Sequence, residues 1–144
     1  MTRLRQWLSS RRRSQRGSAT VFMLGFAAVL MVGAGLVVDG GLALNKRSQL
    51  TDDAEQAARS GANAIDIVAL RNSGVVRVDP DQATAIATDF LSQRGYTDIS
   101  VQVDGNEVTT SAQATVDTVI LSLVGINTFT VKGDATATPE TGIG

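Results

Sequence analysis

With 144 residues the chain has room for one small domain and a short additional segment. It contains no cysteine and no histidine, which excludes disulfide staples, thiolate metal sites, and the Ser–His and Cys–His pairs of nucleophilic catalysis. The net charge of −1 conceals a split: Arg3, Arg5, Arg11, Arg12, Arg13 and Arg16 stand near the start with no acid among them, whereas from Asp39 onward seven Lys and Arg face fourteen Asp and Glu. Such a division suits two environments better than one solvated globule.

Residues 18–38, SATVFMLGFAAVLMVGAGLVV, carry no charge. As a helix they would extend roughly 31 Å, matching a hydrocarbon core of about 30 Å. One segment cannot close a barrel, so a helix is the only spanning structure open to it. Gly25, Gly33 and Gly35 would weaken a soluble helix but are ordinary in membrane spans. Basic flanks stay cytoplasmic, so residues 1–17 are expected in the cytoplasm and the acidic remainder outside the cytoplasmic (inner) membrane, with entry into a surface filament left open. Two other readings compete. A cleaved secretory signal has an apolar run of about 7–15 residues and a small-x-small site; this run is longer and no clear A-x-A follows it. A twin-arginine signal is suggested by Ser10-Arg11-Arg12-Arg13, but the apolar residues expected directly after the pair are missing. The arginines need no nucleic acid to explain them, since they flank a membrane span.

Asp39-Gly40-Gly41 marks the outer end of the span, and the glycines are expected to loosen or kink the helix there. Asp39 reads either as an interfacial residue or as a charge that neutralises a cation of a neighbouring protein. Helical spacing then resumes. Leu50, Ala54, Ala57, Ala58, Gly61, Ala62 and Ile65 form a stripe of mostly small apolar residues. It is thin in hydrophobic area and favours close approach, either to the chain's own domain or to other subunits. Glu55 and Arg59 lie four apart in the favourable acid-before-base order.

Taken in order, RGSATVF, the apolar run, VVDGG and LTDDAEQAARSGANAI resemble the TadE/TadG-like proteins of tight-adherence (Flp) pilus assembly, and the TadG-like members most. The likeness covers about residues 11–65. On this resemblance Arg16 and Gly17 correspond to the family's Arg-Gly, and Asp39 and Gly41 to its Asp-x-Gly. Leu50, Ala54, Glu55, Ala57, Ala58, Gly61 and Ala62 correspond to its Ala-rich helix. The Gln and Asp usual in that helix are Thr51 and Glu55 here. The resemblance implies possible prepilin-type processing between Gly17 and Ser18, yet Val21 stands where prepilin-like proteins carry Glu.

Asp79-Pro80 starts a helix, with Ala83, Ile86, Ala87, Phe90 and Leu91 on one face and Gly95 as its stop. Ile99, Val101 and Val103 alternate as a strand, Asp104-Gly105-Asn106 turns, and Val108, Thr110, Ala112, Ala114 and Val116 return. Asp117 is expected to cap a short apolar helix over residues 118–124, ended by Gly125. Phe129, Val131 and Ala135 complete a third strand, whose end, VKGDATATP, resembles the closing strand of TadE-like domains.

The expected fold class is α+β: a long N-terminal transmembrane helix continuing into an Ala-rich helix, then a small domain with two helices and a three-stranded antiparallel sheet. The expected divisions are 1–17 basic segment, 18–38 span, 39–72 Ala-rich helix, 73–138 α+β domain and 139–144 tail. There is no P-loop and no dinucleotide fingerprint, and neither Asp52, Asp53 and Glu55 nor Asp79 and Asp81 have calcium-loop spacing. No catalytic residue, cofactor, metal, nucleic acid or small-molecule substrate is therefore expected. The expected partners are the bilayer and pilus or secretion-machine subunits, met through the Ala/Gly helix face. The leading functional expectation is a structural or accessory, minor-pilin-like component of a tight-adherence-type pilus or related secretion system. The rivals are a stand-alone membrane-anchored binding module and a secreted protein with a cleaved signal.

Overall fold

The computed structural model describes residues 14–139. The expected basic segment is thus mostly outside the described residues, as are residues 140–144 of the expected tail and the side chain of Arg16. Among the described residues the architecture is α+β: three α-helices, one 3-10 turn and one three-stranded antiparallel sheet. Two compact units are distinguished. One comprises the chain up to Gly40 with Thr118–Asn127, the other Gly41–Asp117 with the chain from Thr128.

Helix α1 runs over Ser14–Ala62. It is helical through Gly40 and Gly41. A Cβ at either would meet no atom of the chain. The Ala-rich stretch, expected to reach residue 72, ends at Ala62. Asn63 and Ala64 close α1 through amide bonds to the carbonyls of Arg59 and Gly61, and Ile65 bridges to Val78. Asp66 then opens a separate helix, α2 (Ile67–Ser73), by accepting the Val68 and Ala69 amides, each at 2.9 Å. Gly74, with φ at 70°, terminates it in the left-handed conformation that glycine adopts at least cost.

Helix α3 (Pro80–Gln93) begins as the sequence predicts. Asp79 accepts the Asp81 and Gln82 amides, and Pro80 takes the first turn, where its missing N–H costs nothing. Ala83, Ala87 and Leu91 are buried, whereas Ile86 of the expected face is exposed. Strands β1 (Thr97–Asp104), β2 (Glu107–Asp117) and β3 (Thr128–Ala137) lie in sheet order β1-β2-β3. The Asp104-Gly105-Asn106 turn sets the register Asp104↔Glu107 and Val103↔Val108. Val108, Thr110, Ala112 and Ala114 face inward along β2.

The core of this second unit is the contact of the Ala-rich half of α1 with the sheet. Leu50, Ala57, Ala87, Leu91, Tyr96, Ala112 and Ala114 form one cluster, and Ala62, Ala64, Val78, Ala83 and Val108 a second. Small residues let the backbones approach. A Cβ on Gly133 of β3 would stand 2.8 Å from Leu50 Cγ and 3.0 Å from the Thr51 amide nitrogen. The Thr110 hydroxyl donates to the Ala54 carbonyl at 2.8 Å, so the buried polar atom of β2 is satisfied by the helix.

Candidate functional site

The N-terminal half of α1 is unlike a core helix. Its most apolar window has a mean hydropathy of 2.6 and is only 6% buried, whereas the core helix of a soluble protein is mostly covered. Phe22, Met23, Leu24, Phe26, Leu30 and Leu36 all stand exposed. Water exposure of so much contiguous apolar surface is strongly unfavourable. By length and composition this helix can cross a membrane.

Asp39 sits just past that run and is buried, at 1% exposure. One carboxylate oxygen accepts the Val119 amide at 2.9 Å, and the other accepts the Ile120 and Leu121 amides at 3.0 and 2.7 Å. Its partners are therefore amides of this chain, 80 to 82 residues distant. These are the donors that open the 3-10 turn Leu121–Val124, whose own N-cap position, Ile120, supplies no side-chain bond. The expectation that Asp117 caps this segment is corrected: Asp117 ends β2 opposite Thr128, and Asp39 does the capping from α1. The expected helix over residues 118–124 is reduced to one 3-10 turn, closed by Gly125 at φ 90°. Burial of the Asp39 carboxyl opposes its ionisation, but the amides of Leu121, Val119 and Ile120 outweigh that and hold it below the ordinary aspartate range.

The close seat of this segment explains one glycine. A Cβ on Gly35 would lie 2.9 Å from Ile120 Cγ2 and 3.0 Å from Leu121 Cδ2. Gly25 and Gly33 have no such neighbour.

In the second unit Asp53 is also a buried carboxylate, at 9% exposure. The Tyr96 hydroxyl donates to it at 2.5 Å and Arg94 Nε lies 3.1 Å away. Burial of the phenol, with the hydrogen bond to Asp53 and its charge, pushes Tyr96 up to about 12. Arg94 also lies over the Phe90 ring, 3.6 Å from its centroid. This network ties α1 to the connection between α3 and β1.

Of the residues singled out by resemblance, Leu50, Ala54, Ala57, Ala58, Gly61 and Ala62 are all buried within the second unit. Gly61 accommodates the Ala83 carbonyl, 3.1 Å from where its Cβ would be. The Ala/Gly face expected to meet pilus subunits is therefore occupied by the chain's own sheet and α3, and it is not a partner surface. Glu55 is exposed and pairs with Arg59. Gly17 and Ser18 are exposed on α1, and nothing approaches Gly17 or Gly41. Among the described residues, no group of three or more Asp and Glu is placed to hold a metal ion.

The family model described as "Putative Flp pilus-assembly TadE/G-like" matches residues 17–64. Over that stretch, about a third of the chain, the sequence is similar to TadE/G-like proteins. The match spans the apolar helix, Asp39 and the whole buried alanine stripe, and it supports a part in Flp pilus assembly. No curated protein and no solved structure matches.

Sequence reasoning singled out Asp39 but missed its partners. Nothing local in TVILSLVGIN announces that its amides need a carboxylate from elsewhere. It also missed the Asp53–Tyr96 pair, 43 residues apart, for which a single sequence carries no signal.

Proposed function

We propose that this protein is a membrane-anchored structural or accessory component, minor-pilin-like, of a tight-adherence-type pilus or a related secretion system. Residues 18–38 span the cytoplasmic membrane, the basic segment 1–17 stays in the cytoplasm, and the α+β unit lies outside. The observation that carries this reading is the TadE/G-like match over an apolar helix whose side chains are left uncovered. The six arginines before the span support this orientation. With the alanine stripe consumed by the chain's own core, lateral association falls to the exposed apolar half of α1. If assembly draws the subunit from the bilayer, that surface must be buried among other subunits, because water cannot solvate it.

The test is the intact mass of the protein from native-host membranes, with its extraction measured in the presence and absence of the co-expressed pilus machine. Full-length chain whose extraction depends on the machine fits an anchored accessory subunit. A mass for residues 18–144 fits a processed pilin, despite Val21. Extraction indifferent to the machine favours a stand-alone anchored module, and a soluble chain starting near residue 40 overturns the proposal.

A further inference from the structure

The segment joining β2 to β3, Thr118–Asn127, reads TVILSLVGIN and carries no charge. Val119, Leu123, Val124 and Ile126 are all exposed, Leu123 at 69%. An exposed connection between two strands is ordinarily polar. This one is among the most apolar stretches of the chain outside residues 18–38.

Most of its backbone amides are satisfied within the chain. The Val119, Ile120 and Leu121 amides go to Asp39. The Thr118 amide donates to the Asn127 carbonyl at 2.9 Å, that of Leu123 to Ile120 at 3.2 Å, that of Gly125 to Ser122 at 3.1 Å and that of Ile126 to Leu121 at 3.1 Å. The polar side chains turn inward as well: the Thr118 hydroxyl donates to the Ile126 carbonyl, and that of Ser122 to the Val119 carbonyl at 2.8 Å. In hydrocarbon, irregular backbone is tolerated only when its polar groups find partners within the protein. An aqueous loop has no need of this economy, since water would serve those amides.

The segment's position agrees. Ile120 and Leu121 pack on Gly35. At a rise of about 1.5 Å per residue Gly35 lies roughly 26 Å along α1 from Ser18, within a hydrocarbon core of about 30 Å. We infer that residues 119–126 form a second membrane-seated element, an apolar wedge docked on the outer end of the span and inserted into the outer leaflet, with Asp39 satisfying the backbone it carries there. The occupant of its exposed apolar side is lipid. The inference rests on the reading of residues 18–38 as a membrane span.

The chain has no cysteine, so single cysteines report their own positions. Leu123→Cys, Leu30→Cys and Asp104→Cys are each labelled with an environment-sensitive dye in the full-length protein. The proteins are reconstituted in phosphatidylcholine/phosphatidylglycerol vesicles and probed with lipids spin-labelled near the headgroup or deep in the acyl chain, and with aqueous iodide. The expected result is quenching at Leu123→Cys by the shallow lipid label, at Leu30→Cys by the deep one and at Asp104→Cys by iodide alone. Adding Asp39→Ala to Leu123→Cys should lose the shallow quenching and leave Leu30→Cys unchanged. If Leu30→Cys is quenched by lipid but Leu123→Cys only by iodide, the span stands and the wedge is refuted. If Leu123→Cys is shielded from both lipid and iodide, a protein surface covers it, and the inference is again overturned. If lipid quenches neither, the span reading fails and takes the wedge with it.

Discussion

Tyr96 is the only tyrosine in the chain, so its ionisation is visible without interference as tyrosinate absorbance. Burial, the hydrogen bond to Asp53 and the Asp53 charge push it from 10.0 to about 12. A raised phenol means that the folded state holds the proton more tightly than the unfolded chain. The stability this confers is fully present below 10.0 and is lost as pH climbs from 10.0 to about 12. At about 1.4 kcal/mol per pH unit the whole effect is on the order of 2–3 kcal/mol. Tyr96→Phe leaves Asp53 short of a donor and should cost about 1–3 kcal/mol at neutral pH. Urea unfolding of the wild type and Tyr96→Phe in detergent micelles, followed by sheet ellipticity, should show their stability difference shrinking as pH rises above 10.0. In Asp53→Asn, folded-state tyrosinate should form at lower pH than in the wild type yet still above 10.0, because burial is the larger cause and remains. A wild-type tyrosinate midpoint near 10.0 with the sheet intact, or a stability difference independent of pH, would refute the reasoning.

Leu50 is wholly buried, and Leu50→Ala should cost about 2–5 kcal/mol in the same urea assay; a loss under half of that range would mean the helix–sheet contact is loose. Gly133→Ala places a methyl carbon 2.8 Å from Leu50 Cγ and 3.0 Å from a backbone nitrogen. It should therefore destabilise by about 1–3 kcal/mol despite the better strand propensity of alanine, and a stabilised variant would show that α1 sits farther from β3 than described. Asp39→Ala should speed hydrogen exchange at Val119, Ile120 and Leu121, while protection along β1 and β2 is kept. In the wild type, Asp39's contribution is present above the ordinary aspartate value of 3.8 and should be lost as pH falls through its lower folded value. Unchanged exchange in Asp39→Ala would show that the amides do not depend on the carboxylate.

Much of the architecture was legible because its signals are local. Asp79-Pro80 and Asp104-Gly105-Asn106 act through neighbouring amides and glycine's conformational freedom, so the start of α3 and the hairpin register appear where the sequence predicts them. The alternation through Val108, Thr110, Ala112 and Ala114 likewise marks the inward side of β2. The boundary at Ala62 was missed because alanine-rich sequence favours continuing the helix. What stops it is the Ile65–Val78 bridge and the Asp66 cap beyond.

The sequence by itself determined that this chain has an apolar stretch of membrane length with basic residues on one side, and an α+β remainder without cysteine or histidine. Composition and periodicity decide those properties, and both are written along the chain. Only the tertiary structure decided which surfaces are free. The alanine stripe was open to its own sheet or to another subunit until Gly133, Leu50 and Ala54 were found in contact across the core. Asp39 was an unpartnered charge until residues 119–121 were brought to it. A carboxylate binds whatever donors lie within about 3 Å, and for Asp39 that neighbourhood is made by a strand connection some 80 residues further along the chain.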